Sequence, residues 1–415
     1  MTQKLFTPNF ILLILGQLTS LFGNFILKLA LSMYVLDITG SAAVFAGILS
    51  LAVIPTILLS PFGGILADRA DRRNIMVVLD TLTGISVLGT ALLLSGKNDL
   101  ALISILLIIL SILGAFETPT VQACIPTMLQ GDNIIRGNAV VNQIASLSYL
   151  TAPMLGGVFY TMFGLQPVMY ASVGCFIVTA AFECFIRLDY QRPARKEKIL
   201  TIVRQDFTES MRYIIKEQTS IVKMLLLTAI SRFFVMGILL VGLPFLIRTV
   251  LMLNAGYYGA AESTLAIATI VGSILAGLLG TRLQSHSPSV LLTLLGIFML
   301  PAGIAFLLPV SPLIRYGIIL VSFCGMQIVI SIFSIAAVSL IQQRTPNHLI
   351  GKVMAYTSTI TLCVQPMGQM VYGFLFDRFH NTVYLVLLPT AVIIGAIGLS
   401  ATKFLPAPES DFYAQ

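Results

Sequence analysis

The sequence predicts an all-α membrane protein of twelve transmembrane helices in two six-helix, pseudo-symmetric halves. Three observations carry that prediction: composition, the length of the apolar runs, and an internal repeat. Hydrophobic residues make up 57% of the 415 residues, charged residues only 10%, and mean hydropathy is +0.96. Soluble domains carry about 25% charged residues, so a lipid-embedded chain is the class this composition fits.

A hydrocarbon core of about 30 Å takes roughly 20 apolar residues of helix. Runs of that length recur at 9–36, 42–66, 74–95, 100–124, 138–163, 166–187, 220–247, 257–280, 288–309, 313–340, 351–376 and 381–402. They are too long for barrel strands, and a helix alone satisfies its own backbone hydrogen bonds in lipid. The first run follows eight residues without a small-residue cleavage site and reads as a retained span.

The net charge of +7 orients the chain and calls for no nucleic acid. With the N-terminus inside, 18 of the 24 Lys and Arg fall on cytoplasmic segments; Lys97, Arg248, Arg315 and Arg378 fall outside, and Lys28 and Arg232 lie within spans. That asymmetry predicts both termini in the cytoplasm. The five cysteines lack metal-ligand spacing and read as small apolar side chains, so no metal is expected.

Shifting the sequence by 213 residues superimposes Gly64 on Gly277, Leu66 on Leu279, Arg69 on Arg282 and Pro153 on Pro366. The expected organisation is an N-terminal bundle (1–187), a cytoplasmic linker (188–219) and a C-terminal bundle with a short cytoplasmic tail (220–415). Within the linker, Ile199, Val203, Phe207, Met211 and Ile214 recur at helical spacing among basic residues. They suggest an amphipathic helix at the inner leaflet, or an ordinary soluble linker helix.

Between spans 2 and 3 stands "GILADRADRR", Gly64 to Arg73, with five charges in ten residues. This stretch resembles the signature loop of the major facilitator superfamily, G-x-L-x-D-R-x-G-R-R/K. Gly64, Leu66, Asp68, Arg69, Arg72 and Arg73 match, and Asp71 takes the second glycine position. The resemblance spans the chain and implies the major facilitator fold. It also implies a conformational latch, in which Asp68 faces the start of span 11 and the arginines bridge nearby acids. Gly64 is expected to let span 2 approach a neighbour closely. "GQLTSLFGNFILKLALSMYVLDITGSA" in span 1 and "DRADRRNIMVVLD" entering span 3 are most similar to the macrolide-efflux and enterobactin-exporter-like group.

"SLSYLTAPMLGG" in span 5 resembles the antiporter motif of family exporters, ending G-P-x-x-G-G. Pro153, Gly156 and Gly157 match, Ala152 replaces a glycine, and Ser148 takes an earlier small position. No phosphate-binding loop is present, since "GKND" and "GKVM" lack its glycine spacing and the Ser or Thr after Lys. The energy source expected is a proton gradient, with no cofactor.

Ionisable residues inside spans are costly and usually functional. Lys28, Glu117 and Arg232 lie in spans 1, 4 and 7, and Gln327 in span 10; the resemblance implies that these four helices line the cavity. Glu262 adds a carboxylate in span 8. Simpler readings exist: Lys28 snorkelling outward, Glu117 and Arg232 as a structural pair, and Glu262 at the interface. Asp80 and Glu183 read more simply as structural groups near helix ends, with Asp80 kept as a coupling candidate. Pro119 is expected to open the backbone near Glu117 to solvent or substrate.

The expected function is secondary active efflux of small amphiphilic molecules, drug-, macrolide- or siderophore-like, by a functional monomer in the bacterial cytoplasmic membrane. The partners are the substrate and the bilayer. Uptake of a small metabolite is the alternative, and a membrane enzyme or receptor a remote one, since no nucleophile constellation is visible. The topology is directly testable. Cysteines at position 134 or within 192–198 should react only with reagent admitted to the cytoplasm, and one at position 98 from outside; the reverse labelling would refute the orientation.

Overall fold

The computed structural model describes residues 5–96, 98–188, 219–279, 288–343, 345 and 350–404. Twelve helical segments run through the described residues, which contain no strand. They are α1 (Pro8–Thr39), α2 (Ala42–Arg69), α3 (Arg72–Leu93), α4 (Asp99–Met128), α5 (Asp132–Phe163) and α6 (Leu165–Cys184). The rest are α7 (Thr219–Gly237, continuing through π-helical turns to Val250), α8 (Ala255–Leu279), α9 (Pro288–Ile304), α10 (Pro312–Gln343), α11 (Ile350–Arg378) and α12 (Tyr384–Phe404). Among the described residues, nine are long and apolar enough to cross a membrane by length and composition. This is the all-α, multi-pass architecture that the apolar runs predict.

Local chemistry sets the helix ends. Thr7 accepts a hydrogen bond from the Phe10 N–H at 3.3 Å, with Pro8 at the first helical position, and so starts α1. Gly40, at φ 58°, closes the same helix by returning its N–H to the Leu36 carbonyl. Span 9, expected to reach 309, stops at Ile304. There Arg315 donates to the carbonyls of Ala305 (3.0 Å) and Leu308 (3.1 Å) and lies 5.1 Å from the Phe306 ring centre, which satisfies the helix end.

The chain divides into two compact units. The first is Met1–Gly40, Gly47–Arg195 and Met252–Ser263; the second is Ser41–Ala46, Lys196–Leu251 and Thr264–Gln415. Most of the expected linker, including its amphipathic stretch, lies outside the described residues.

In the first unit, α1 packs on α5 and α6, and α3 on α4 and α6. Phe10, Leu13, Met76, Val121, Cys124, Ile125, Met128, Leu129 and Ile186 form one apolar cluster at an end of this bundle. α2 approaches α4 closely at one point. A β-carbon at Gly63 would stand 2.3 Å from the Ala115 carbonyl oxygen. Pro119 explains why that carbonyl is available, because it lacks the N–H that would bond to residue 115. Two expectations are corrected here. Gly64 faces open space, and its neighbour Gly63 makes the close approach instead. The carbonyl freed by Pro119 is covered by α2 rather than open to solvent, with Ala115 only 3% exposed.

In the second unit, α9 packs on α12 and α11 on α7. Gly368 brings α11 so near α7 that a β-carbon there would lie 2.1 Å from the Phe233 carbonyl. The buried Tyr372 pairs its hydroxyl with Thr390 at 2.8 Å. Asp377, at the end of α11, supplies the N-terminal cap of α2. It accepts hydrogen bonds from Ser41 Oγ (2.5 Å), Ala42 N (2.6 Å) and Ala43 N (3.1 Å).

These contacts give a sharp pair of expectations. Gly63→Ala should lower thermal stability in detergent by about 1–3 kcal/mol through overpacking. Gly64→Ala should leave the unfolding temperature almost unchanged. Equal effects at the two positions would contradict the α2–α4 packing.

Candidate functional site

The charged loop between α2 and α3 acts as a set of helix caps. Asp71 Oδ1 accepts from the Arg73 N–H at 3.1 Å and starts α3. Arg72 Nε donates to the Ala67 carbonyl at 2.8 Å, near the end of α2. Arg73 donates to the Cys184 carbonyl at the end of α6. Carboxylates favour helix starts and guanidinium groups favour helix ends, so three charges of the loop fasten α2, α3 and α6 together. Arg69 is exposed, and the side chain of Asp68 lies outside the described residues.

The interior of the first unit holds an ionisable network. Ser20 Oγ on α1 lies 3.1 Å from Asp80 Oδ1 on α3 and 3.3 Å from Glu117 Oε1 on α4. Asp80 and Glu183 are each 1% exposed, and their carboxyl groups lie within Coulombic range of one another. Asp80 Oδ2 and Glu183 Oε2 have no hydrogen-bond partner. Lys28 on α1 lies within Coulombic range of Glu117. Two buried carboxyl groups and the half-buried Glu117 therefore share the space among α1, α3, α4 and α6, with Lys28 in Coulombic range of Glu117. A serine hydroxyl carries one proton and can donate to one acid at a time. The Ser20 hydroxyl lies within reach of both carboxyl groups.

The structure thus brings Lys28, Glu117 and Asp80 together. Glu183, read from sequence as a helix-end group, joins them. Arg232 and Gln327 belong to the second unit, where Gln327 Nε2 donates to Thr269 Oγ1 at 2.8 Å. Glu262 belongs to the first unit, and there it accepts a hydrogen bond from Tyr258.

The span 5 motif is a packing surface. Ala152 is fully buried, as is Ser148, whose hydroxyl makes no hydrogen bond. A β-carbon at Gly156 would stand 3.2 Å from Ile26 Cα of α1, and one at Gly157 would stand 2.5 Å from the Ala255 carbonyl of α8. Gly259 on α8 returns the contact, 2.3 Å from the Pro153 carbonyl by the same measure. Small residues here bring three helices to backbone contact.

This helical fold has a counterpart among known proteins. The profile of the Major Facilitator Superfamily matches residues 13–364. The chain belongs to this superfamily. Superfamily relatives include macrolide efflux protein A of Streptococcus pyogenes, 23% identical over 390 residues covering 92% of this chain and 93% of that protein. The multidrug efflux pump Tap of Mycolicibacterium fortuitum is 23% identical over 412 residues, 95% of each chain. Among solved superfamily-like structures, a bacterial homologue of the iron transporter ferroportin in an inward-facing state superimposes with a TM-score of 0.71. It is 18% identical and covers 95% of this chain and 98% of that one, a likeness of fold.

Sequence reasoning missed Ser20, Phe25, Tyr149 and Tyr258, and it read Glu183 only as a group near a helix end. A signal for the first existed: Gln17, Ser20, Asn24 and Lys28 recur at steps of three and four and form a polar stripe on an otherwise apolar helix. The tyrosines gave no such signal, because single aromatics in apolar spans are ordinary packing residues.

The capping geometry yields an ordering of stabilities. Asp71→Gly, which restores the residue of the superfamily's signature, should cost a few tenths of a kcal/mol. Asp71→Ala should cost about 1 kcal/mol. Thermal unfolding in detergent measures both, and an Ala variant as stable as the Gly variant would contradict the N-cap role.

Proposed function

We propose that this transporter is a proton-coupled exporter of small amphiphilic molecules, working by alternating access in the bacterial cytoplasmic membrane with both termini inside. The observation that carries the reading is Ser20 between Asp80 and Glu117, with Lys28 beside Glu117. A carboxyl group linked through a hydroxyl to a second acid has a route along which a proton is loaded and released. A lysine in Coulombic range gives that proton a competitor: as the amine approaches, the carboxylate is favoured, and as it retreats, the acid is. Rocking that changes the distance between Lys28 and Glu117 couples conformation to protonation. The efflux relatives support the outward direction, and the small-residue packing of α5 suits helices that slide against each other. The charged loop would then act as the latch, with Asp68 engaging one of the two states.

Transport into inverted vesicles, with and without an imposed proton gradient, tests this. Wild-type protein should accumulate amphiphilic substrates uphill only when the gradient is present. Glu117→Gln should abolish uphill accumulation and retain passive exchange. Uphill transport by Glu117→Gln with unchanged pH dependence would refute the assignment and turn attention to Asp80 and Glu262. For the latch, Asp68→Asn should insert normally and lower turnover by shifting the balance of inward- and outward-open states. Unchanged state populations in distance measurements, together with normal transport, would remove it.

A further inference from the structure

Glu262 is set apart from the acids around Ser20. Its hydrogen-bond partner is the hydroxyl of Tyr258, which is 4% exposed and engages Oε1. No Lys or Arg among the described residues pairs with Glu262, whereas the charge of Lys28 is matched by Glu117. Tyr149 on α5 lies close enough to Glu262 to feel its charge. The ring of Tyr149 meets the ring of Phe25 on α1 edge to face, with centroids 5.6 Å apart and planes at 71°. Tyr258 thus bonds the carboxylate, Tyr149 lies in Coulombic range of it, and Phe25 stacks on Tyr149, so the rings come from α8, α5 and α1, all in the first unit.

The backbone explains the arrangement. Gly157 meets Ala255, and four residues along each helix Pro153 meets Gly259. The next step of that antiparallel register reaches Tyr149 on α5 and the turn holding Glu262 on α8. The helices touch where the residues are small and open where the chain places a phenol ring and an acid. Tyr149 contacts α1 and senses α8, and 45% of the residue is left uncovered by protein.

We propose that Phe25, Tyr149, Tyr258 and Glu262 form a subsite for the positively charged group of an amphiphilic organic cation. A carboxylate without a basic partner attracts such a charge. The negative faces of aromatic rings attract it again and cover its apolar substituents. An organic anion meets the opposite potential. The inference rests on the reading of the protein as a transporter of amphiphilic molecules, and it narrows that substrate class to cations.

The test uses two probes of matched shape and opposite charge, tetraphenylphosphonium and tetraphenylborate. Radiolabelled probe is bound to the full chain in phosphatidylcholine nanodiscs, with empty discs subtracted. Tetraphenylphosphonium should bind saturably and tetraphenylborate should not. Glu262→Gln and Tyr149→Ala should each weaken phosphonium binding by about tenfold, and Tyr149→Phe, which keeps the ring, should stay within about twofold. Monodisperse elution checks folding; if Glu262→Gln fails it, the Tyr149 pair alone decides. Borate binding as tight as phosphonium, or Tyr149→Ala binding like the wild type, would overturn the proposal. Binding is read without a gradient, so a protein that binds the cation and fails to pump it would refute export while upholding the subsite.

Discussion

Ser20 has one proton to donate and two carboxyl groups within reach of it. That constraint organises the first unit. An acid deep in an apolar helix bundle is tolerated only with partners, and around Ser20 those partners come from other helices. Asp80 reaches Ser20 from α3, Glu117 reaches it from α4, and Glu183 meets Asp80 from α6. The cross-helix bond between Thr19 and Thr179 Oγ atoms, 2.6 Å, runs beside them along the α1–α6 seam. The polar interior thus binds together the same helices whose outer faces are apolar.

Close helix approach makes such short links possible. Gly63 against Ala115 draws α2 onto α4 beside Glu117, and Gly156 against Ile26 draws α5 onto α1 two residues from Lys28. The proline of α4 serves the same end by leaving a carbonyl without an intrahelical donor at the α2 contact. Charges in the loop after α2 fasten the helix ends nearby. Asp71 in place of a glycine is therefore a working residue here: it caps α3 with a side chain the glycine lacks.

Much of this was legible in the sequence, for a reason that can be stated. Lipid permits few backbone solutions, so apolar run lengths give the helices, and a shift of 213 residues gives the repeat. Deep charges stand out against an apolar background, which marked Lys28, Glu117, Arg232 and Glu262. What stayed hidden depends on which helix faces which. Gly63 and Gly64 are adjacent and chemically identical, and only the rotation of α2 decides that Gly63 meets α4. Asp80 and Glu183 lie toward helix ends in one dimension and against each other in three. Tyr149 and Phe25 acquire meaning only when α1, α5 and α8 are brought together.

Infrared spectroscopy of the carboxyl C=O stretch across a pH titration reads the proposed proton route most directly. The account predicts that the reconstituted protein shows a buried carboxyl band that changes with pH, is lost in Glu117→Gln and shifts in Ser20→Ala. A spectrum without a titrating buried carboxyl, or one identical in wild type, Glu117→Gln and Ser20→Ala, would contradict it.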